Sequence, residues 1–217
     1  MKIYLHYTYI ILAIAGLVAS GCKSAKVPLA ATPSAPIHER LPPLETAADP
    51  GPLALSDGAL PDDPMRLLTN ELQRNLAEPT DSATYGYVRF VVTQAAERRL
   101  NRGLQALQMT LLLTPTFLGV PLETYQTDLT AELQISDAQG RLLGTYAGKG
   151  RGRARVAMYH GYAQKNAPRL ADVLALRDAL AHIRPQLDTA AARLRPLLLA
   201  HPVDNPTLPT TAARGRR

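Results

Sequence analysis

Between Thr127 and Ser136 the chain alternates strictly: Leu129, Ala131, Leu133 and Ile135 are separated by Asp128, Thr130, Glu132, Gln134 and Ser136. A period of two puts every apolar side chain on one side of an extended strand, so this segment needs a sheet with one face on a core and the other toward water. Asp137-Ala138-Gln139-Gly140 then supplies turn chemistry, with glycine where a positive φ is wanted, and Leu142 to Tyr146 returns as the second strand of a hairpin. A chain of 217 residues suits one ordinary domain with tails and excludes a large multidomain enzyme.

Other segments extend this frame. Tyr85 to Gln94 reads as a half-buried strand, with Val88, Phe90 and Val92 on one side, although Val91 blurs the other. Asp62-Asp63-Pro64 opens a capped helix whose Met65, Leu68, Leu72 and Leu76 recur at spacings of three and four, ending near Glu78-Pro79. A further short strand or turn is expected from Ala154 through Val156 and Met158. After Asn166-Ala167-Pro168, the residues Leu170, Val173, Leu174, Leu180, Ile183 and Leu187 trace a C-terminal helix, continued by Leu194, Leu197 and Leu198, which Pro185 is expected to kink or split. The expected fold is a two-layer α+β domain over residues 63–199. Its three- to four-stranded antiparallel sheet is packed by an N-terminal helix and a C-terminal kinked helix or helical hairpin.

The first 21 residues run from Met1-Lys2 through an apolar stretch, Tyr7 to Ala19, into the small residues Ala19-Ser20-Gly21. This is the order of a secretory signal peptide, and the stretch falls short of the roughly 18 apolar residues of a membrane span. Cys22, the single cysteine, stands directly after it, which excludes an intrachain disulfide framework and any cysteine-rich zinc site. The run Ala19-Ser20-Gly21-Cys22 resembles the lipobox of bacterial lipoproteins. That resemblance implies cleavage between Gly21 and Cys22, a diacylglyceryl group on the Cys22 thiol and a third acyl chain on the new amino terminus, so that the membrane is a partner through these chains. Lys23 stands where an aspartate marks inner-membrane retention in the best-known sorting rule, and the resemblance therefore implies the outer membrane, on its periplasmic face.

Residues 23 to 62 hold eight prolines, and no Phe, Tyr or Trp occurs between Tyr9 and Tyr85. Such a segment buries little apolar surface and reads as a tether over 22–62; residues 200–217, with Pro202, Pro206, Pro209 and a basic end, read as a flexible tail. Charge divides unevenly. Residues 22–83 are net −4 and residues 84–217 net +9, so the second half favours anionic lipid, lipid A phosphates or acidic glycan. The export signal argues against nucleic acid as the partner.

Two segments are candidates for contact. Lys149, Arg151, Arg153 and Arg155 alternate with Gly148, Gly150, Gly152 and Ala154; on a strand all four cations share one face, which suits either an anionic ligand or the protection of a sheet edge. Met109 to Pro121 is almost uncharged, and its Leu111, Leu112, Leu113, Phe117 and Leu118 suit a core crossover, a bilayer-dipping loop or a partner patch. Tyr159-His160-Gly161-Tyr162 offers two aromatics and an imidazole that would line a pocket or pack on the C-terminal helix; His182 reads as a surface residue, and His38 and His201 fall in the ends taken as flexible. HExxH, GxSxG, a Walker loop and metal-spaced His/Asp/Glu clusters do not occur, so neither a metal nor another cofactor is expected, and a non-enzymatic role is favoured over an envelope hydrolase.

From Leu118-Gly119-Val120-Pro121, through the Leu129 to Ile135 strand, to Tyr146-Ala147-Gly148-Lys149-Gly150, Tyr159-His160-Gly161-Tyr162 and a helix with Ala171, Ala179 and Leu180, residues 85–187 look like a group of uncharacterised Gram-negative envelope lipoproteins. The resemblance implies an α+β lipoprotein domain without assigned catalytic residues. The expected role is that of a lipid-anchored interaction or assembly accessory with an envelope protein partner. The alternative is binding of anionic lipid or glycan through the basic strand and apolar loop.

Overall fold

The alternating segments pair into a four-stranded sheet in the order β1 (Glu45–Asp49), β2 (Gly86–Leu100), β3 (Glu123–Asp137), β4 (Leu142–Val156). The computed structural model describes residues 36–78, 83–111, 120–157 and 162–200. The expected signal segment with Gly21 and Cys22, and the expected tail from residue 201 onward, lie outside them. β2, β3 and β4 form an antiparallel meander in which Phe90, Leu133 and Tyr146 stand side by side on the face that carries the core. The hairpin turns as the sequence requires: Gly140 takes φ +78°, and Asp137 Oδ1 accepts from the Gln139 and Arg141 backbone N–H groups at 3.1 and 2.8 Å.

Among the described residues three α-helices accompany the sheet. α1 (Asp63–Glu71) runs on into a single π-helical turn, Leu72–Leu76, and buries Leu67, Leu68, Leu72 and Leu76. α2 (Arg102–Thr110) follows β2 after Asn101, which turns the chain with φ 70°. α3 (Ala167–Leu199) lies along β4 and β3 and, with β2, β3 and α1, encloses the main core. The fold is thus α+β with a helix layer on one side of the sheet.

Four expectations are corrected. The sheet is mixed rather than antiparallel, because β1 pairs in parallel with β2, Glu45 opposite Tyr87 through Asp49 opposite Val91. That strand lies inside the segment expected to be a tether, and its neighbours pack as well: Ile37, Leu41 and Leu53 are buried, and Leu41 exchanges backbone hydrogen bonds with Leu76 and Glu78. Pro42, Pro43 and Pro50 flank the strand instead of interrupting it, so the ladder keeps its donors. Of the two forms expected for the C-terminal element, the helical hairpin is overturned: it is one continuous helix. Pro185 sits on its exposed side, while Ile183, Leu187, Ala191, Leu194 and Leu198 hold the apolar stripe on the core across the proline, offsetting the lost backbone bond. Finally, β4 does not stop at Tyr146 but runs through the glycine-rich stretch to Val156, absorbing the separate short strand expected there. The reason is close packing. A Cβ at Gly148, Gly150 or Gly152 would overlap the backbone carbonyl oxygens of Ala179, Ala175 and Ala171 respectively, so helix and strand meet backbone to backbone.

Candidate functional site

Because the glycines of β4 face α3, the residues between them face the other way. Lys149, Arg151, Arg153 and Arg155 are all exposed on the sheet face that α3 leaves uncovered, which is the arrangement their spacing requires. Cross-strand register extends each into a line over three strands: Lys149 with Thr130 and Gln94, Arg151 with Asp128 and Ala96, Arg153 with Gln126 and Arg98, Arg155 with Thr124 and Leu100. A bulge between Val92 and Gln94 makes this possible. Before it, even-numbered residues of β2 face the core; after it the parity flips, so Arg98 and Leu100 join the open face. Sequence alternation alone, continued past Gln94, would have assigned Arg98 to the core side.

The row is moderately tied down. Arg151 Nε donates to Asp128 Oδ1 at 2.5 Å and Arg153 Nε to Gln126 Oε1 at 2.7 Å. The Arg151 hydrogen bond is the main reason the Asp128 carboxyl is held below the ordinary aspartate range. β4 is also an edge strand, and α3 covers part of its outer rim: Asp178 Oδ2 accepts from the Arg151 backbone N–H at 2.9 Å, and Gln186 Nε2 donates to the Ala147 carbonyl at 2.8 Å. A hollow of about 690 Å³ opens beside Gln94, Thr130, Lys149 and Arg151.

On the core side of the same strands sits a polar cluster that the sequence reading missed. Asp172 of α3 is buried and accepts hydrogen bonds from Ser56 Oγ at 2.5 Å and Thr127 Oγ1 at 2.7 Å. Burial pushes its carboxyl up to about 6; the two hydroxyls work against that shift, and the nearby charges of Glu97 and Asp63 add to it. Arg169 neutralises Asp63 through two hydrogen bonds, 2.8 and 2.9 Å long. Glu97 Oε2 accepts from the Asp57 backbone N–H, and Arg99 pairs with Asp57 while its guanidinium lies 5.2 Å from the Tyr125 ring centre. Burial, followed by the Glu123 hydrogen bond, raises the Tyr125 hydroxyl to about 12. Ser56 and Thr127 donate hydrogen bonds to a carboxylate that is itself enclosed, so the cluster fastens the 50–63 segment to α3 and β3. The available signal was an aspartate on the apolar stripe of α3, four residues before Leu176.

The remaining expected site residues separate. Leu111 is exposed just beyond α2, whereas Leu112, Leu113, Phe117 and Leu118 lie outside the described residues, as do Tyr159, His160, Gly161 and His201. Tyr162 packs on a small second core of Tyr125, Ala154, Val156, Ala167, Leu170 and Ala171. His182 is exposed, with Nδ1 2.8 Å from the Asp178 carbonyl. His38, expected in a flexible end, instead joins Asp188 through both its backbone N–H and its ring, each at 2.8 Å. Among the described residues, no group of three or more His, Cys, Asp or Glu is placed to hold a metal ion, and no helix is long and apolar enough to cross a membrane. No protein-family model and no curated protein matches the chain.

Proposed function

We propose that the protein is a lipid-anchored envelope lipoprotein, cleaved between Gly21 and Cys22 and held at the periplasmic face of the outer membrane, whose domain serves as a non-enzymatic interaction accessory. Its contact surface is the open face of the sheet. One observation carries this reading: the helix layer lies against one face of the sheet, while the other presents Lys149, Arg151, Arg153 and Arg155 as an exposed row. Edge protection accounts less well for the row, because Asp178, Gln186 and the Tyr162 backbone already engage the outer rim of β4.

Photo-crosslinking side chains placed at Lys149 or Arg153 of the full chain in native envelopes test this directly, with Ala181, exposed on α3, as the reference position. Crosslinks are expected from the sheet positions and not from Ala181. Equal yields from both faces, or none from the sheet, would contradict the assignment.

A further inference from the structure

The open face is not uniformly charged. Among the described residues it carries, around β4, five cations, Arg98, Lys149, Arg151, Arg153 and Arg155, against the single carboxylate Asp128. Toward β1 the balance reverses, with Glu45, Asp49 and Glu132 against Arg89. Residues two apart on a strand are about 6.7 Å apart, so the four cations of β4 extend over roughly 20 Å, and Arg98, two strands away, adds about 10 Å of width. This is an extended, repeated array. A small anion needs donors that converge on it; a plane of phosphates is met by cations spread over a plane.

Apolar groups flank one end of the array. Leu100 shares the line of Arg155 and is 37% exposed, and α2 starts directly after it with Leu107 54% exposed and Leu111, four residues on, 47% exposed. Leu111, the residue that ends the helix, still donates its backbone N–H to the Leu107 carbonyl at 3.0 Å, so a spacing of four keeps it near Leu107. Basic groups beside exposed leucines are the combination that partitions into a lipid headgroup region. The Arg151–Asp128 pair weighs little against this use, since at 63% and 30% side-chain exposure it is a solvent-screened contact. The described residues begin at Pro36, and the chain from Cys22 to that point spans at most about 50 Å, so an acylated chain keeps the domain within that reach of the leaflet.

We infer that the cationic half of the open sheet face, with the exposed leucines at and after the end of β2, docks on the anionic surface of a phospholipid leaflet. This rests on the reading that the open face is the contact surface, and it names the occupant.

Vesicle flotation of the chain from residue 22 onward, with Cys22→Ser so that no acyl chain carries it to lipid, tests the inference. The probes are vesicles of phosphatidylcholine alone and vesicles containing phosphatidylglycerol. Binding is expected only to the second, and is expected to vanish between about 0.01 M and about 1 M salt, as the screening length falls from about 30 Å to about 3 Å. Each cation near an anionic leaflet contributes about fivefold in affinity, so R151E/R153E/R155E should weaken binding at least about a hundredfold while leaving the thermal transition of the domain in place. No binding to phosphatidylglycerol vesicles at low salt, equal binding to both vesicles, or salt-insensitive binding would overturn the inference; the salt series on the unsubstituted face decides the matter even if the triple variant fails to fold. An envelope crosslink from Lys149 or Arg153 to a protein alone would also overturn it while supporting the broader reading of the face.

Discussion

Gly150→Ala is expected to destabilise the domain by at least about 3 kcal/mol, although it adds one methyl group. The added carbon would overlap the Ala175 carbonyl oxygen and crowd the Ala179 nitrogen, both backbone atoms of α3 that cannot swing aside as a side-chain tip would. Relief therefore requires lifting α3 from β4, which loosens the burial of Leu176, Ile183 and Leu187 along the same helix. Against a typical total stability of about 5–15 kcal/mol, that loss is a large fraction. Gly103→Ala is the control: nothing lies within 4 Å of its added carbon, and inside α2 alanine should be neutral or gain up to about 1 kcal/mol. Urea denaturation followed by circular dichroism measures both. An unchanged midpoint for Gly150→Ala would show that helix and strand are not in backbone contact.

Asp172→Asn is expected to stabilise the domain at neutral pH and to remove one component of its pH dependence. The Asp172 carboxyl titrates near 6 in the folded protein, above the roughly 3.9 of an exposed aspartate, so folding favours its protonated form. Its contribution to stability is fully present below about pH 4 and is lost as pH rises through 6; the parent should therefore gain on the order of 2 kcal/mol from this group between pH 7.5 and 4. Asparagine is neutral throughout and can accept from one hydroxyl and donate to the other, keeping the Ser56 and Thr127 contacts. Subtracting the variant's curve from the parent's cancels the carboxylates that behave oppositely. Asp128 and Asp188, both held below the usual range by hydrogen bonds from Arg151 and His38, lose stability as pH falls. A parent-minus-variant difference that is flat from pH 7.5 to 4 would contradict the buried state of Asp172.

How far the sequence revealed this fold depended on which interaction wrote the pattern. Burial of one face writes a period of two, and the hairpin around Gly140 was legible from it, including its turn. β1 was not, because Glu45-Thr46-Ala47-Ala48-Asp49 carries no apolar alternation and is made a strand by backbone pairing at an edge. Prolines around it gave the impression of a tether, while the anchoring side chains Ile37, Leu41 and Leu53 are too widely spaced to show a period. The cation row was legible as a spacing, but its extent was not. The glycines between the cations resemble a turn until they are set against Ala171, Ala175 and Ala179, four residues apart on α3, and only the two patterns together specify a long strand under a close helix. Arg98 reached the row through a bulge that no residue type announces.

The proposed function depends on acylation at Cys22. Mass spectrometry of the N-terminal peptide of protein extracted from growing cells measures this most directly: the expected result is a peptide beginning at Cys22 and heavier by a diacylglyceryl group and an amide-linked acyl chain. A peptide that begins at Cys22 with a free thiol, or one that retains residues 1–21, would contradict it.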